Sequence, residues 1–151
     1  MKNNIGKLKA ISISKKKGIP KTNVDSAILI ENWGIEGDAH AGNWHRQISL
    51  LAIESINGML QKGLPDLKPG IFAENLTTEF IKLPILPIGT KFQIGNDCEL
   101  EVTQIGKECH TRCAIYQTAG DCVMPKEGIF AKVISGGRIN VNDEIRIING
   151  E

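Results

Sequence analysis

The sequence lacks the features that would place it in a membrane or on a secretory route. Residues 1–9 contain no apolar stretch of the kind that a signal peptide requires. No segment approaches the roughly 20 consecutive apolar residues of a membrane-spanning helix. We therefore expect a cytoplasmic protein, in which thiols stay reduced, so that a disulfide framework is the less favoured use of the 4 cysteines.

The sequence also lacks a charge imbalance, an internal repeat and a linker between domains. Its formal net charge is +1, which gives no general attraction to nucleic acids or membrane surfaces. The hydrophobic content of 41% and the charged content of 23% are ordinary for a folded domain. We therefore predict a single domain over residues 1–151, long enough to bury a stable core without help from disulfides or metal ions.

Helix signals are few, whereas short strand signals recur along the chain. Strands are predicted at Leu8–Ser14, Val24–Ile30, Gln47–Leu51, Phe72–Thr77, Lys91–Ile94, Glu99–Ile105, Gly128–Ile134 and Glu144–Ile148. Helices are predicted only at 52–62 and, as a short element, at 109–118, while Gly136-Gly137 is expected to form a turn. This pattern predicts a mainly β fold with a closed barrel and argues against a doubly wound sheet.

A cysteine among basic residues follows the strand predicted at 99–105. Lys107, His110 and Arg112 favour the thiolate of Cys109, whereas Glu108 opposes it. The thiolate is the form that attacks sulfur or binds a soft metal. The alternative for Cys109 is a buried structural thiol.

Two further hypotheses concern the same segment: a role for Cys113 and a zinc site. In a helix, Cys113 lies one turn from Cys109 and becomes a second metal ligand or a resolving thiol; otherwise it is a packed small residue. Cys109, His110, Cys113 and Cys122 lack the paired short spacings of structural zinc sites, which argues against zinc.

A glycine-bounded loop precedes the strand predicted at 47–51. Gly37 and Gly42 allow a ligand to approach the backbone closely. Between them, Asp38 and His40 are candidates for hydrogen bonding to a ligand or for proton transfer, the alternative being that they satisfy backbone groups of the turn. Arg46 is a candidate for binding a phosphate or carboxylate.

Three further residues are weaker candidates. Asn75 can offer a ligand both a donor and an acceptor, or can bond to the backbone in a turn. Lys21 and Arg138 are possible anion contacts.

Together these segments resemble the MOSC domain, the C-terminal domain of molybdenum-cofactor sulfurases, which also occurs alone as small bacterial proteins. The resemblance covers nearly the whole chain and rests on residues 37–42, 46–51, 72–78, 86–90, 104–109 and 128–133. It implies a closed β-barrel, like the β-barrel domain of pyruvate kinase, with a few peripheral helices. The sequence departs from the family pattern at 105–108, where many relatives carry Pro and Arg, and at Phe80, where a glycine is expected.

The resemblance implies molybdenum-cofactor chemistry at Cys109, which acts as a ligand of molybdenum or as a persulfide carrier that transfers sulfur to it. The implied cofactor contacts are Arg46, Asn75, Lys107, Arg112, Gly37 and Gly42, with His40 and Asp38 assisting Cys109 and Cys113 as a lesser metal ligand. The implied partners are molybdenum-cofactor biosynthesis proteins, a cysteine desulfurase or a molybdoenzyme acceptor.

Two alternative functions and the question of catalysis stay open at this point. One alternative is a carrier of molybdenum cofactor that performs no turnover. The other is a molybdenum-dependent reductase of N-hydroxylated compounds, although the larger enzymes of that kind carry an additional N-terminal barrel. Pyridoxal phosphate belongs to a separate desulfurase domain in the large sulfurases. The sequence has no equivalent of that domain, so this cofactor is not expected here.

Overall fold

The structure is a computed structural model that describes residues 5–16, 21–60, 74–106 and 128–148. The strands in these ranges are β1 (Ile5–Ile13), β2 (Thr22–Val24), β3 (Ser26–Ile30), β4 (Gly34–Ile35), β5 (Ile48–Ala52), β6 (Leu76–Glu79), β7 (Lys91–Ile94), β8 (Cys98–Ile105), β9 (Ile129–Ser135), β10 (Gly137–Asn140) and β11 (Glu144–Ile147). An α-helix, α1, spans Ile53–Leu60, and a 3-10 helix spans Leu83–Ile85.

Seven strands form a closed barrel, as the sequence predicted. They follow one another in the order β11, β7, β8, β9, β5, β6 and β1, and the pairing of β1 with β11 closes the ring. Neighbouring strands are antiparallel except for β5 and β6, which are parallel. β2 extends the sheet beyond β1, and β10, β3 and β4 form a second, smaller sheet.

Alternating side chains of the barrel strands fill its interior. In β8 the residues Cys98, Leu100 and Val102 are buried, while the residues between them are partly exposed. This is the period-two pattern of a strand with one face toward a core. The five residues of β5 are all buried, because this strand lies between β9 and β6 in the ring and is covered by α1. Burial of apolar surface of this kind is the main favourable term in folding.

The predicted helix at 52–62 corresponds to α1. Glu54 lies in its first turn, where a carboxylate interacts favourably with the helix dipole, and Ile56 is buried on the face that packs against β5 and β6. The second predicted helix, at 109–118, lies outside the described residues. Among the described helices, none combines the length and apolar character needed to cross a membrane.

A strand prediction and a turn prediction differ from the structure, and the strand predicted at Phe72–Thr77 begins only at Leu76 among its described residues. The segment predicted as one strand at Val24–Ile30 is divided at Asp25 into β2, which pairs with β1, and β3, which pairs with β10. The turn expected at Gly136-Gly137 is wrong in part, since Gly137 begins β10 and lies opposite Leu29. A Cβ atom at Gly136 would lie 2.4 Å from the Leu29 carbonyl oxygen, so glycine is needed here for the close approach of two strands.

Candidate functional site

The loop between β4 and β5 contains Asp38 and His40, and Asp38 fastens it to the end of β1. Its Oδ1 accepts hydrogen bonds from the Ser14 backbone N–H at 3.1 Å and from Lys21 Nζ at 3.1 Å. Its Oδ2 accepts one from the backbone N–H of His40 at 3.1 Å. Because the Asp38 side chain is 0% exposed, these bonds lie in the interior and both carboxylate oxygens have protein partners.

Lys21 completes a buried cluster with Asp38, Ser14 and His40. Its ammonium group lies 3.3 Å from Ser14 Oγ and 3.2 Å from His40 Nδ1, in addition to the bond to Asp38. The Lys21 side chain is 1% exposed. The sequence suggested Lys21 as an anion contact; the anion that it contacts in the structure is the carboxylate of Asp38.

His40 makes contacts through its backbone N–H, its carbonyl oxygen and its ring nitrogen Nδ1. Its carbonyl oxygen accepts a hydrogen bond from Trp44 Nε1 at 3.0 Å, and its Nδ1 lies 3.8 Å from Asp38 Oδ2. The His40 side chain is 35% exposed, so part of the ring faces the surface while Nδ1 faces the buried cluster.

Gly37 and Gly42 differ in whether the backbone conformation of the loop requires glycine. Gly37 has a φ of +87°, a left-handed conformation that L side chains rarely adopt, although a Cβ atom there would meet nothing within 4 Å. A Cβ atom at Gly42 would make only an ordinary contact with Trp44, at 3.5 Å. The loop conformation therefore requires glycine at residue 37 and tolerates other small residues at 42.

The loop ends at Arg46, whose guanidinium group is held by the end of β8. Arg46 Nε donates to Gln104 Oε1 at 3.0 Å, and Arg46 Cζ lies 5.1 Å from the centre of the Phe130 ring. His45 Nε2 lies 2.9 Å from the same Gln104 oxygen. Gln104 in turn donates from Nε2 to the Gly106 carbonyl oxygen at 2.8 Å, which fixes its orientation. These contacts join the glycine-bounded loop to the strand that precedes Cys109.

β8 is followed by a glycine in the left-handed conformation, which contacts the start of the next described segment. Gly106 has a φ of +67°, and its N–H donates to the Gly128 carbonyl oxygen at 2.6 Å. The predicted site residues Cys109, Lys107, Arg112 and Cys113 lie outside the described residues, and their roles stay predictions.

Asn75 forms hydrogen bonds with the sheet through both its Oδ1 and its Nδ2 atoms. Its Oδ1 accepts hydrogen bonds from the backbone N–H of Ser49 at 3.0 Å and from Ser49 Oγ at 3.2 Å. Its Nδ2 donates to the Ser12 carbonyl oxygen at 3.1 Å. Asn75 therefore links β1, β5 and the start of β6 from a buried position. The contact between Asn75 and a cofactor stays a prediction.

Cys98 is a buried free thiol at the start of β8. Burial, together with the charges of Asp97 and Asp143, raises the pKa of Cys98 to about 11, so the neutral thiol is favoured at physiological pH. This is the environment of a structural thiol, not of a nucleophile. No group of three or more His, Cys, Asp or Glu side chains suited to a metal ion occurs within residues 5–16, 21–60, 74–106 and 128–148.

The structure thus brings Asp38 and His40 together with Lys21, and it separately joins Arg46 to Gln104. Sequence reasoning gave Lys21 only as an anion contact, and it did not include Gln104 among the site residues. The available signal for Gln104 was its position as a polar residue at the end of an alternating strand, two residues before Gly106.

Comparisons with known proteins identify the family. The model of the MOSC domain matches residues 37–146. The YuaD protein from Bacillus subtilis has a similar fold, with a TM-score of 0.80, 20% sequence identity and coverage of 95% of both chains. YiiM from Geobacillus stearothermophilus gives a TM-score of 0.73 at 17% identity, over 95% of this chain and 75% of that one.

YiiM from Escherichia coli gives a TM-score of 0.67 at 17% identity, over 95% of this chain and 70% of that one. At these identities the likeness concerns the fold alone. No curated protein sequence gives a significant match. The family model covers well over half of the 151 residues, beginning in the loop that holds Asp38 and ending in β11, and the chain therefore belongs to the MOSC domain family.

Proposed function

We propose that this protein binds molybdenum cofactor in the cytoplasm and that Cys109 provides the sulfur atom that meets the metal. Membership of the MOSC domain family points to a function related to this cofactor. The observation that carries the proposal is the contact between Arg46 and Gln104, because it joins the glycine-bounded loop to the strand end that leads into Cys109. Gly106 precedes Cys109 by three residues, and three residues of chain span at most about 11 Å.

The described residues fit the anionic part of the cofactor. Molybdenum cofactor is a pterin dithiolene that carries a phosphate, and a guanidinium group is well suited to bind phosphate oxygens. Arg46 is held through Nε by Gln104 and by the ring of Phe130. Within the described part of the chain, no hydrogen bond or ion pair engages its two Nη groups, and the proposal assigns these groups to the phosphate.

Cys109 would contribute a thiolate, which both of its proposed roles need. As a metal ligand it would bind molybdenum through its sulfur, a soft donor. As a carrier it would hold a persulfide received from a cysteine desulfurase. When bound, the cofactor supplies the metal centre at which sulfur is accepted or a substrate is reduced. The proposed partners are accordingly proteins that make or receive this cofactor.

Native mass spectrometry of protein purified without oxygen, from a host that makes molybdenum cofactor, tests the proposal. We expect a mass increment equal to the molybdenum-bearing pterin in the wild type, and loading reduced at least about tenfold in Cys109→Ser, since loss of a ligand exceeds the effect of losing an outer-shell group. Cys98→Ala is the matched control, because that buried thiol should leave loading unchanged.

The same spectra separate the two roles of Cys109 and test the anion contact. An increment of one sulfur atom, lost in Cys109→Ser, would identify the persulfide carrier. Arg46→Lys should reduce loading, because lysine cannot keep both the Gln104 bond and a two-pronged phosphate contact, whereas the exposed Arg146→Lys should not. Full loading of Cys109→Ser, or a wild type with neither cofactor nor persulfide, would contradict the proposal.

A further inference from the structure

The buried cluster determines where the proton of His40 lies. A lysine ammonium group has three N–H donors and no acceptor. The three neighbours of Lys21 Nζ are Asp38 Oδ1 at 3.1 Å, Ser14 Oγ at 3.3 Å and His40 Nδ1 at 3.2 Å. Lys21 and Asp38 are 1% and 0% exposed, so a neutral lysine would leave the Asp38 carboxylate charged and unpaired in the interior. The lysine is therefore charged.

A charged Lys21 requires His40 Nδ1 to be an acceptor. A ring nitrogen that accepts a hydrogen bond carries no proton, so the imidazole is neutral and its proton lies on Nε2. Among the contacts of Nδ1 with described residues, Asp38 Oδ2 is the opposing influence, since a carboxylate near Nδ1 favours a proton there. That oxygen lies 3.8 Å from Nδ1, beyond hydrogen-bonding distance, and already accepts the His40 backbone N–H. The shorter contact with Lys21 therefore decides the tautomer.

We propose that Lys21 is a positioning residue that holds His40 as a neutral imidazole protonated on Nε2, so that His40 meets a bound ligand as a hydrogen-bond donor and not as a proton acceptor. The ligand rests on the proposed function: it is an oxygen acceptor of the bound molybdenum cofactor. Of the two ligand-directed roles that the sequence suggested for Asp38 and His40, hydrogen bonding and proton transfer, the proposal adopts hydrogen bonding for His40, because both oxygens of Asp38 are engaged and Nδ1 of His40 faces Lys21.

The tautomer is measured on cofactor-free protein labelled with ¹⁵N in its histidines. Long-range ¹H–¹⁵N correlation spectra distinguish a protonated ring nitrogen from a bare one. The chain has 3 histidines, and the signals absent from His40→Gln assign His40. At neutral pH we expect a protonated Nε2 and a bare Nδ1 for His40. A protonated Nδ1 in the wild type, alone or together with Nε2, would overturn the proposal.

Removal of the lysine tests whether Lys21 is the cause. Lys21→Met takes away the donor and leaves the Asp38 carboxylate beside Nδ1, so we expect Nδ1 to become protonated. Lys82→Met, which removes an exposed lysine, should leave the His40 spectrum unchanged. Lys21→Arg retains a charged donor and should preserve the wild-type pattern, which gives a readout even if Lys21→Met does not fold. A folded Lys21→Met with the wild-type pattern, or Lys21→Arg with a protonated Nδ1, would refute the role of Lys21.

A second pair of variants tests the donor role toward the ligand. The side-chain nitrogen of glutamine can occupy the position of histidine Nε2, whereas asparagine reaches only as far as Nδ1. We therefore expect His40→Gln to retain cofactor loading and His40→Asn to lose about tenfold or more, the effect of one hydrogen bond to a charged acceptor. Equal loss in both would contradict the donor role. Because the tautomer is measured without cofactor, failure of the protein to bind cofactor would overturn the proposed function separately.

Discussion

At the scale of single residues, the pair formed by Asp38 and Lys21 is the most consequential contact of the described site. Both side chains are almost fully buried, and Asp38 balances the charge of Lys21 while accepting two backbone N–H groups. A buried ion pair adds little over a well-packed apolar pair, but removal of one partner leaves an uncompensated charge in the interior. The pair therefore serves to fix the loop, and its loss should be costly.

Asp38→Asn should reduce the free energy of unfolding by about 3–5 kcal/mol, because the Lys21 ammonium then stays buried without a counter-charge. Urea denaturation at neutral pH measures this loss. The control is Glu79→Gln, which removes a partner from the more exposed pair of Lys9 and Glu79, separated by 4.0 Å, and should change stability by less than about 1 kcal/mol. An Asp38→Asn loss no larger than that of the control would show that the cluster is not a charged pair.

Single residues also show which parts of the site could be predicted from the sequence and which could not. Gly37, Asp38 and His40 stand close together in sequence, so their pattern could be recognised. Lys21 lies 17 residues before Asp38, and only the folded sheet brings it to that carboxylate. No local periodicity marks a lysine as buried, since lysines are almost always exposed. The same limit applies to Gln104, which meets Arg46 across 58 residues of sequence.

At the scale of elements, apolar alternation predicted the strands that have one buried and one exposed face better than it predicted β10. β7 begins and ends where the sequence predicted, and β8 differs by one residue, because one face of each is buried and the other is not. β10 was missed, since it begins at a glycine and its pairing with β3 is set by close backbone approach instead of side-chain pattern. Strands of this kind depend on partners that are distant in sequence.

The strained residue at the end of β6 gives a prediction about this element. Phe80 has a φ of +72°, and its N–H donates to Glu54 Oε2 of α1 at 2.8 Å, which holds the left-handed conformation. That conformation costs a non-glycine residue about 1–2 kcal/mol. The glycine that the family pattern led us to expect at this position would avoid that cost.

We expect Phe80→Gly to be more stable than Phe80→Ala by about 1 kcal/mol, although glycine is usually the less stable of the two elsewhere. Both variants lose the same ring, which is 61% exposed, so the difference between them isolates the backbone conformation. Thermal unfolding followed by circular dichroism measures the difference. An alanine variant as stable as the glycine variant would indicate that the backbone relaxes away from positive φ.

At the scale of the whole molecule, the barrel closes where β1, near the start of the chain, pairs with β11, near its end. We call this pairing the seam. The family resemblance implied a barrel, but strand spacing could not identify β1 and β11 as the pair that closes it, because more than 130 residues separate Ile5 from its partner Arg146. β1 also pairs with β6 in the same region. One strand therefore holds two sides of the ring together where it closes.

Gly6 lies at this seam, opposite Ile145 of β11, and space is the reason that it is glycine. A Cβ atom at this position would lie 2.4 Å from Ile81 Cγ1 and 2.6 Å from the Glu79 carbonyl oxygen, so β1 would have to move away from a backbone atom. We expect Gly6→Ala to reduce the free energy of unfolding by about 1–3 kcal/mol, the usual cost of overpacking. The adjacent exposed Lys7→Ala should change it by less than about 0.5 kcal/mol.

Urea denaturation distinguishes a weakened seam from an opened one. If the barrel stays closed in Gly6→Ala, the midpoint falls while the slope of free energy against urea stays the same, because the surface exposed on unfolding is unchanged. A smaller slope would mean that the seam is already open in the native state. A stabilised Gly6→Ala would mean that the strands have slack at this position, since alanine in a strand with free space usually gains about 0.4–1 kcal/mol over glycine through the unfolded chain. Closure of the ring would then depend on the hydrogen bonds of β1 with β11 and not on the close approach of β1 to β6.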